Sequence, residues 1–147
     1  ERMIAYLFLP RNTTPPYQTI IFFPGAGALR RTDLFKDRDT KWYLDYLLKS
    51  GRAVLFPVYK GTFDRNEERG FAWGKTHQFT EWVIKWVKDC SRSIDYLEIR
   101  EDIDMDNLGY LGDSWGGYMG GIISAVEERL KLAIIIRGGL YKGWRYP

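Results

Sequence analysis

Residues 110–121 read YLGDSWGGYMGG, with Ser114 held between Gly112 and Gly116, and with Gly117, Gly120 and Gly121 following in a stretch whose apolar spacing otherwise suits a helix. A glycine inside a helix costs about 0.5–1 kcal/mol relative to alanine. Helix propensity therefore does not account for the glycines, and close approach of backbone does.

The flanks locate the serine. NLGYLG (107–112) reads as a buried strand, 115–129 as a helix, and LKLAIIIRGG (130–139) as a further strand. Ser114 thus falls on a strand-to-helix turn. In a G-x-S-x-G corner the chain bends so sharply that the serine takes a strained backbone conformation and side chains two residues to either side would collide. Gly112 and Gly116 answer that requirement, and Gly117, Gly120 and Gly121 would let the next helix lie close against the strands. The helix start beneath the serine favours negative charge forming nearby.

Upstream, MIAYLFLP (3–10) and QTIIFFPG (18–25) read as strands, and RNTTPPYQ between them has the turn chemistry of a hairpin-like connection. A polar loop, AGALRRTDLFKDRDT, leads to a short helix over 41–50 with Gly51 as its C-terminal stop. AVLFPVY (53–59) is almost wholly apolar, as strands covered on both faces are. A long loop then enters a helix whose apolar positions Phe79, Val83, Trp86 or Val87, Cys90, Ile94 and Leu97 step by three and four. The order β-β-α-β-α-β-α-β predicts one α/β domain over 1–147, a mostly parallel sheet flanked by helices.

Composition agrees with that class. The 147 residues are 45% hydrophobic and 16% aromatic, which excludes a disordered chain, and no apolar run approaches a membrane span of about 20 residues. The net charge is +3, with acidic and basic residues interleaved, so no basic stripe points to nucleic acid. Cys90 is the single cysteine, which removes any internal disulfide and multi-cysteine metal site and leans towards a cytoplasmic setting. PGAGALR contains G-x-G after a strand, but Arg30 stands where a dinucleotide fingerprint has its third glycine and Tyr59-Lys60 where the ribose-binding acid would follow.

GDSWGGYMGG resembles the nucleophile motif of the α/β-hydrolase superfamily, particularly its prolyl-oligopeptidase and dienelactone-hydrolase-like branches. TIIFFPGAG is similar to the strand before that family's oxyanion loop, and AVLFPVYKGT to its next strand. The resemblance implies Ser114 as nucleophile and an oxyanion hole made by the N–H groups of Trp115 and Ala26, with Gly25 and Gly27 as alternatives to Ala26. Pro24 replaces the family's frequent histidine, a change that a backbone donor survives.

A serine hydroxyl needs a base and an acid that orients it, and the family's chain order is Ser, Asp or Glu, His. No aspartate or histidine follows Ser114, and Glu127 and Glu128 fall in the predicted helix. His77, the single histidine, lies in a loop leaving the sheet edge expected to carry Ser114, yet precedes the serine; Asp113 is read as surface charge. The expectation is therefore an incomplete α/β-hydrolase domain, its triad Asp and His supplied by a companion segment or chain, since AIIIRGG would otherwise end the sheet on a hydrophobic edge. The implied substrate is a small-molecule carboxylic ester, with no metal, organic cofactor, nucleic acid or membrane partner. A peptidase of the prolyl-oligopeptidase type and a non-catalytic binding or assembly module are the alternatives.

Overall fold

The computed structural model describes residues 3–66 and 77–139. Its strands are β1 (Ala5–Phe8), β2 (Tyr17–Phe23), β3 (Ala53–Pro57), β4 (Ile103–Asp113) and β5 (Leu132–Ile136), and its α-helices are α1 (Arg38–Lys49), α2 (His77–Glu98) and α3 (Trp115–Val126). They alternate in the predicted order and build one sheet in the order β1-β3-β2-β4-β5. β2, β3, β4 and β5 pair in parallel, while β1 runs antiparallel on β3. Every residue of β3 is buried, as its continuous apolar run requires.

The hairpin-like link from β1 to β2 does not form. β1 registers on β3, Ala5 opposite Pro57 and Phe8 opposite Val54. The chain between β1 and β2 steps over one strand position, roughly 9–10 Å, a span too wide for a short hairpin loop and within reach of these residues.

Two hydrophobic layers sandwich the sheet. Ile20, Phe22, Val54, Phe56 and Leu111 meet Tyr43, Leu44 and Leu47 of α1 on one face. Ile21, Phe23, Leu55, Leu108 and Tyr110 meet Trp82, Trp86, Cys90 and Ile94 of α2 and Met119 and Ile123 of α3 on the other. Burial drives the Cys90 thiol up to about 12, so this cysteine is a small core hydrophobe.

Several boundaries move for local reasons. α1 begins at Arg38 because the Asp37 carboxylate accepts from the Asp39 N–H and the Thr40 hydroxyl. It ends where expected, with Gly51 at φ +84. α3 stops at Val126 rather than 129, because Glu127 turns its carboxylate onto Arg129 instead of continuing the helix. β4 starts at Ile103, ahead of the apolar NLGYLG run, and its register on β2 shifts between Gln18 and Thr19. The polar loop after β2 contains two 3-10 turns, Ala26–Leu29 and Leu34–Lys36.

The chain leaves β2 through α1 to β3, then crosses back through α2 to β4 on the opposite side of β2. The direction of winding reverses between β2 and β4, and the crevice outside their carboxyl ends is where an open α/β sheet binds ligands.

Candidate active site

Ser114 sits in that crevice. It ends β4, precedes α3, and has φ 52 and ψ −103, a region that costs a non-glycine residue about 1–3 kcal/mol. Its side chain makes no capping bond to α3, and it is exposed while residues 111–113 and 115–117 are buried. The neighbours enforce this geometry. A Cβ on Gly112 would lie 2.2 Å from the Gly116 carbonyl oxygen, and one on Gly116 would lie 2.1 Å from that of Phe23. No side chain fits at either position. Gly117 and Gly120 also pack closely, against Ile136 and Gly138 and against the Tyr110 ring. Gly121 does not: nothing lies within 4 Å of its missing Cβ, so it plays no part in seating α3 on the sheet.

Hydrogen bonds complete the restraint. The Ser114 N–H donates to the Ile136 carbonyl at 2.7 Å, and the Gly116 N–H donates to that of Pro24 at 3.1 Å. From inside the core the Tyr110 hydroxyl donates to the Gly116 carbonyl at 2.6 Å. Trp115, 3% exposed, packs edge-on against Phe23 and Trp86. Phe23 in turn stacks on Tyr59, so the corner rests on an aromatic floor. Trp82, Trp86 and Trp115 belong to this core, and Trp73 and Trp144 lie outside the described residues.

The loop after β2 reaches the same place. A Cβ on Gly25 would stand 3.5 Å from Asp113 Oδ2 and 3.7 Å from Ser114 Cβ. Ala26 opens the 3-10 turn whose internal bonds begin with Ala28 donating to Gly25 and Arg30 to Gly27. The N–H groups of Ala26 and Gly27 therefore precede the turn's own donors. Trp115 opens α3, where N–H groups point out of the helix end and the dipole favours negative charge.

Asp113 is not surface charge. It is 4% exposed, and Arg137 donates Nε and Nη2 to its two carboxylate oxygens at 2.9 and 2.7 Å. Arg137 follows β5 with its own positive φ of 52. Tyr43 of α1 adjoins the pair; burial first, and then the Asp113 carboxylate, raise its phenol above the ordinary value. A small cavity of about 50 Å3 opens here, lined by Gly25, Gly27, Asp37, Tyr43 and Asp113 among others. A cleft of about 470 Å3 lies at the opposite, amino end of the sheet, between Asn12–Tyr17 and Lys49–Arg52. Its volume is larger, but nothing lining it is strained or positioned like Ser114.

The other predicted candidates stand apart. His77 is the first residue of α2 rather than a loop residue; its side chain is 89% exposed and lies 3.4 Å from Glu81. Glu127 is buried and bound by Arg129, which lowers its carboxyl below the usual range. Glu128 lies beyond α3, in the turn that follows Glu127. Among the described residues no group of three His, Cys, Asp or Glu side chains forms a metal site, and no helix is long and apolar enough to cross a membrane.

Sequence reasoning missed the Asp113–Arg137 pair because the partners are 24 positions apart and meet only through the β4–β5 register, Asp113 opposite Ile136. It also missed the buried charges at the end of β3. There Asp89 of α2 accepts from the Lys60 N–H and from Arg65, both at 2.8 Å, and Trp86 Nε1 donates to the Lys60 carbonyl at 2.9 Å.

The family model for the prolyl oligopeptidase family matches residues 38–141. YtaP of Bacillus subtilis (strain 168), provisionally named a hydrolase, is 27% identical over 91% of this chain and 48% of its own length. A structure provisionally titled dienelactone hydrolase, from Klebsiella pneumoniae, superposes with a TM-score of 0.69 at 21% identity, covering 96% of this chain and 56% of that one. Acetyl xylan esterase from Paenibacillus sp. R4 superposes with a TM-score of 0.64 at 20% identity, covering 95% and 46%. The fold is that of the α/β-hydrolases, and the chain spans about half the length of the curated relative it matches.

Proposed function

The chain belongs to the prolyl oligopeptidase family, and from that premise we propose that it hydrolyses carboxylic esters with Ser114 as the nucleophile. One observation carries the reading: an exposed serine at φ 52 stands alone in a buried run, at the crevice where the sheet's winding reverses.

In this reaction the Ser114 hydroxyl adds to the ester carbonyl carbon while a base takes its proton. The carbonyl oxygen gains negative charge and accepts from the N–H groups of Trp115 and Ala26, at the starts of α3 and of the 3-10 turn. Collapse expels the alcohol, which recovers a proton from the base, and leaves an acyl group on Ser114. Water then adds to that acyl group and releases the acid. In this proposal the base and its orienting acid are a histidine and an aspartate from outside residues 1–147, because the family's chain order puts both after the nucleophile and neither residue type follows Ser114 here.

An ester is favoured because relatives sharing the fold include one titled acetyl xylan esterase and one titled dienelactone hydrolase. The family model supports a second reading, hydrolysis of a peptide bond by the same residues. The full-length protein separates the two when given p-nitrophenyl acetate and an acyl-prolyl p-nitroanilide side by side. Turnover of the acetate alone, abolished in Ser114→Ala, is the expected result. Preference for the anilide would establish the peptidase. Turnover of neither, by a folded full-length protein, would leave a binding or assembly module.

A further inference from the structure

We propose that Arg137 is a positioning residue for the Ser114 reaction, acting through Asp113 as the counter-charge that makes a buried carboxylate tolerable beside a developing oxyanion. The inference rests on Ser114 being the nucleophile.

Three observations place the charges. Asp113 precedes Ser114, and its carboxylate is buried rather than dissolved in water. Asp113 Oδ2 and Ser114 Cβ both lie within 3.7 Å of the one point where a Cβ on Gly25 would be, so the carboxylate faces the crevice that the Gly25 loop closes. Addition of the serine oxygen to an acyl carbon puts a negative charge into that crevice. A buried carboxylate at such range would oppose it, because screening by water is weak there.

Arg137 offsets this repulsion. It binds both Asp113 oxygens, while 65% of its own side chain remains exposed, so the pair presents its cationic end to solvent and keeps its anionic end buried. Tyr43 is the neutral group against the pair. Arg31, Asp37 and Asp39 line the rest of the small cavity, with Arg31 and Asp37 paired to each other. Arg137 is thus the cation bound to Asp113, and without it the carboxylate charge would stand unopposed next to the reacting centre.

A brace and a counter-charge make opposite forecasts for a double variant. If the pair only ties the end of β5 to the Ser114 corner, deleting both partners is at least as harmful as deleting Arg137. If charge is the point, removing the carboxylate as well restores the reaction. Full-length wild type, Arg137→Gln and Asp113→Asn/Arg137→Gln are compared on p-nitrophenyl acetate, with thermal melting in parallel. Arg137→Gln lowers kcat about tenfold or more, with KM held within about threefold. The double variant recovers kcat to within about threefold of wild type.

Should Arg137→Gln not fold, Arg137→Lys keeps a cation, and the double variant against it decides the question: both near wild type supports the counter-charge. A double variant as slow as Arg137→Gln, or an Arg137→Gln enzyme with wild-type kcat, overturns it. Ser114→Ala runs alongside. Undiminished hydrolysis by Ser114→Ala would show that the nucleophile assignment itself had failed, a result distinct from a failed charge comparison.

Discussion

Two tight places on the carboxyl edge of the sheet are held by opposite means. The β4–α3 corner is closed by the absence of side chains: Gly112 and Gly116 let carbonyl groups approach to distances no Cβ would allow, and the serine between them stays exposed. The segment after β3 is closed by buried charge. Asp89 gathers the Lys60 N–H and Arg65, Arg65 also donates to the Val58 carbonyl at 2.6 Å, and the side chains of Arg65 and Asp89 are only 8% and 12% exposed. The first arrangement strains a residue and offers its hydroxyl to solvent. The second hides polar groups and binds them to one another. A reactive group is looked for in the former, since strain persists only where its surroundings over-determine it.

The contrast breaks first at the glycines. Alanine at Gly116 drives a Cβ to 2.1 Å from backbone, which cannot move aside, so Gly116→Ala is expected to prevent folding; soluble yield and circular dichroism check this. At the other place the cost is electrostatic. Asp89→Ala removes the carboxylate that accepts from the Lys60 N–H and from Arg65, and is expected to destabilise by about 1–3 kcal/mol, read from urea denaturation. Ser114→Gly removes the penalty for φ 52 and is expected to raise stability by about 1 kcal/mol while abolishing hydrolysis, so that melting temperature and activity move in opposite directions. The smallest effect belongs to Gly121→Ala. Open space meets the new Cβ, and helix propensity gains about 0.5–1 kcal/mol, so a slightly higher melting temperature with unchanged activity is expected.

Much of this architecture was legible because its signals are local. The apolar runs of β2 and β3, the three-and-four spacing of α2 and the glycines around Ser114 each report on neighbours in the chain. The β1 partner was not legible, because turn residues in RNTTPPYQ show that the chain reverses and not which strand it reaches. The role of Asp113 was hidden for the same reason, since its burial depends on Arg137 across the β4–β5 pairing. Gly121 shows the reverse error: a glycine near four functional ones was credited with a contact that the helix phase turns away from the sheet. The N-cap of α1 was within reach, as Asp37 followed by Thr40 three residues on is a visible start signal, but the acidic and basic run around it masked the helix boundary.

The central claim is that the Ser114 corner makes its hydroxyl reactive. Full-length protein treated with a fluorophosphonate, digested and mapped by mass spectrometry tests this most directly. The account predicts phosphonylation on the peptide carrying GDSWGGYMGG, at Ser114, and none in Ser114→Ala. Modification of a different residue, or an unmodified Ser114 in a protein that still turns over ester, would contradict it.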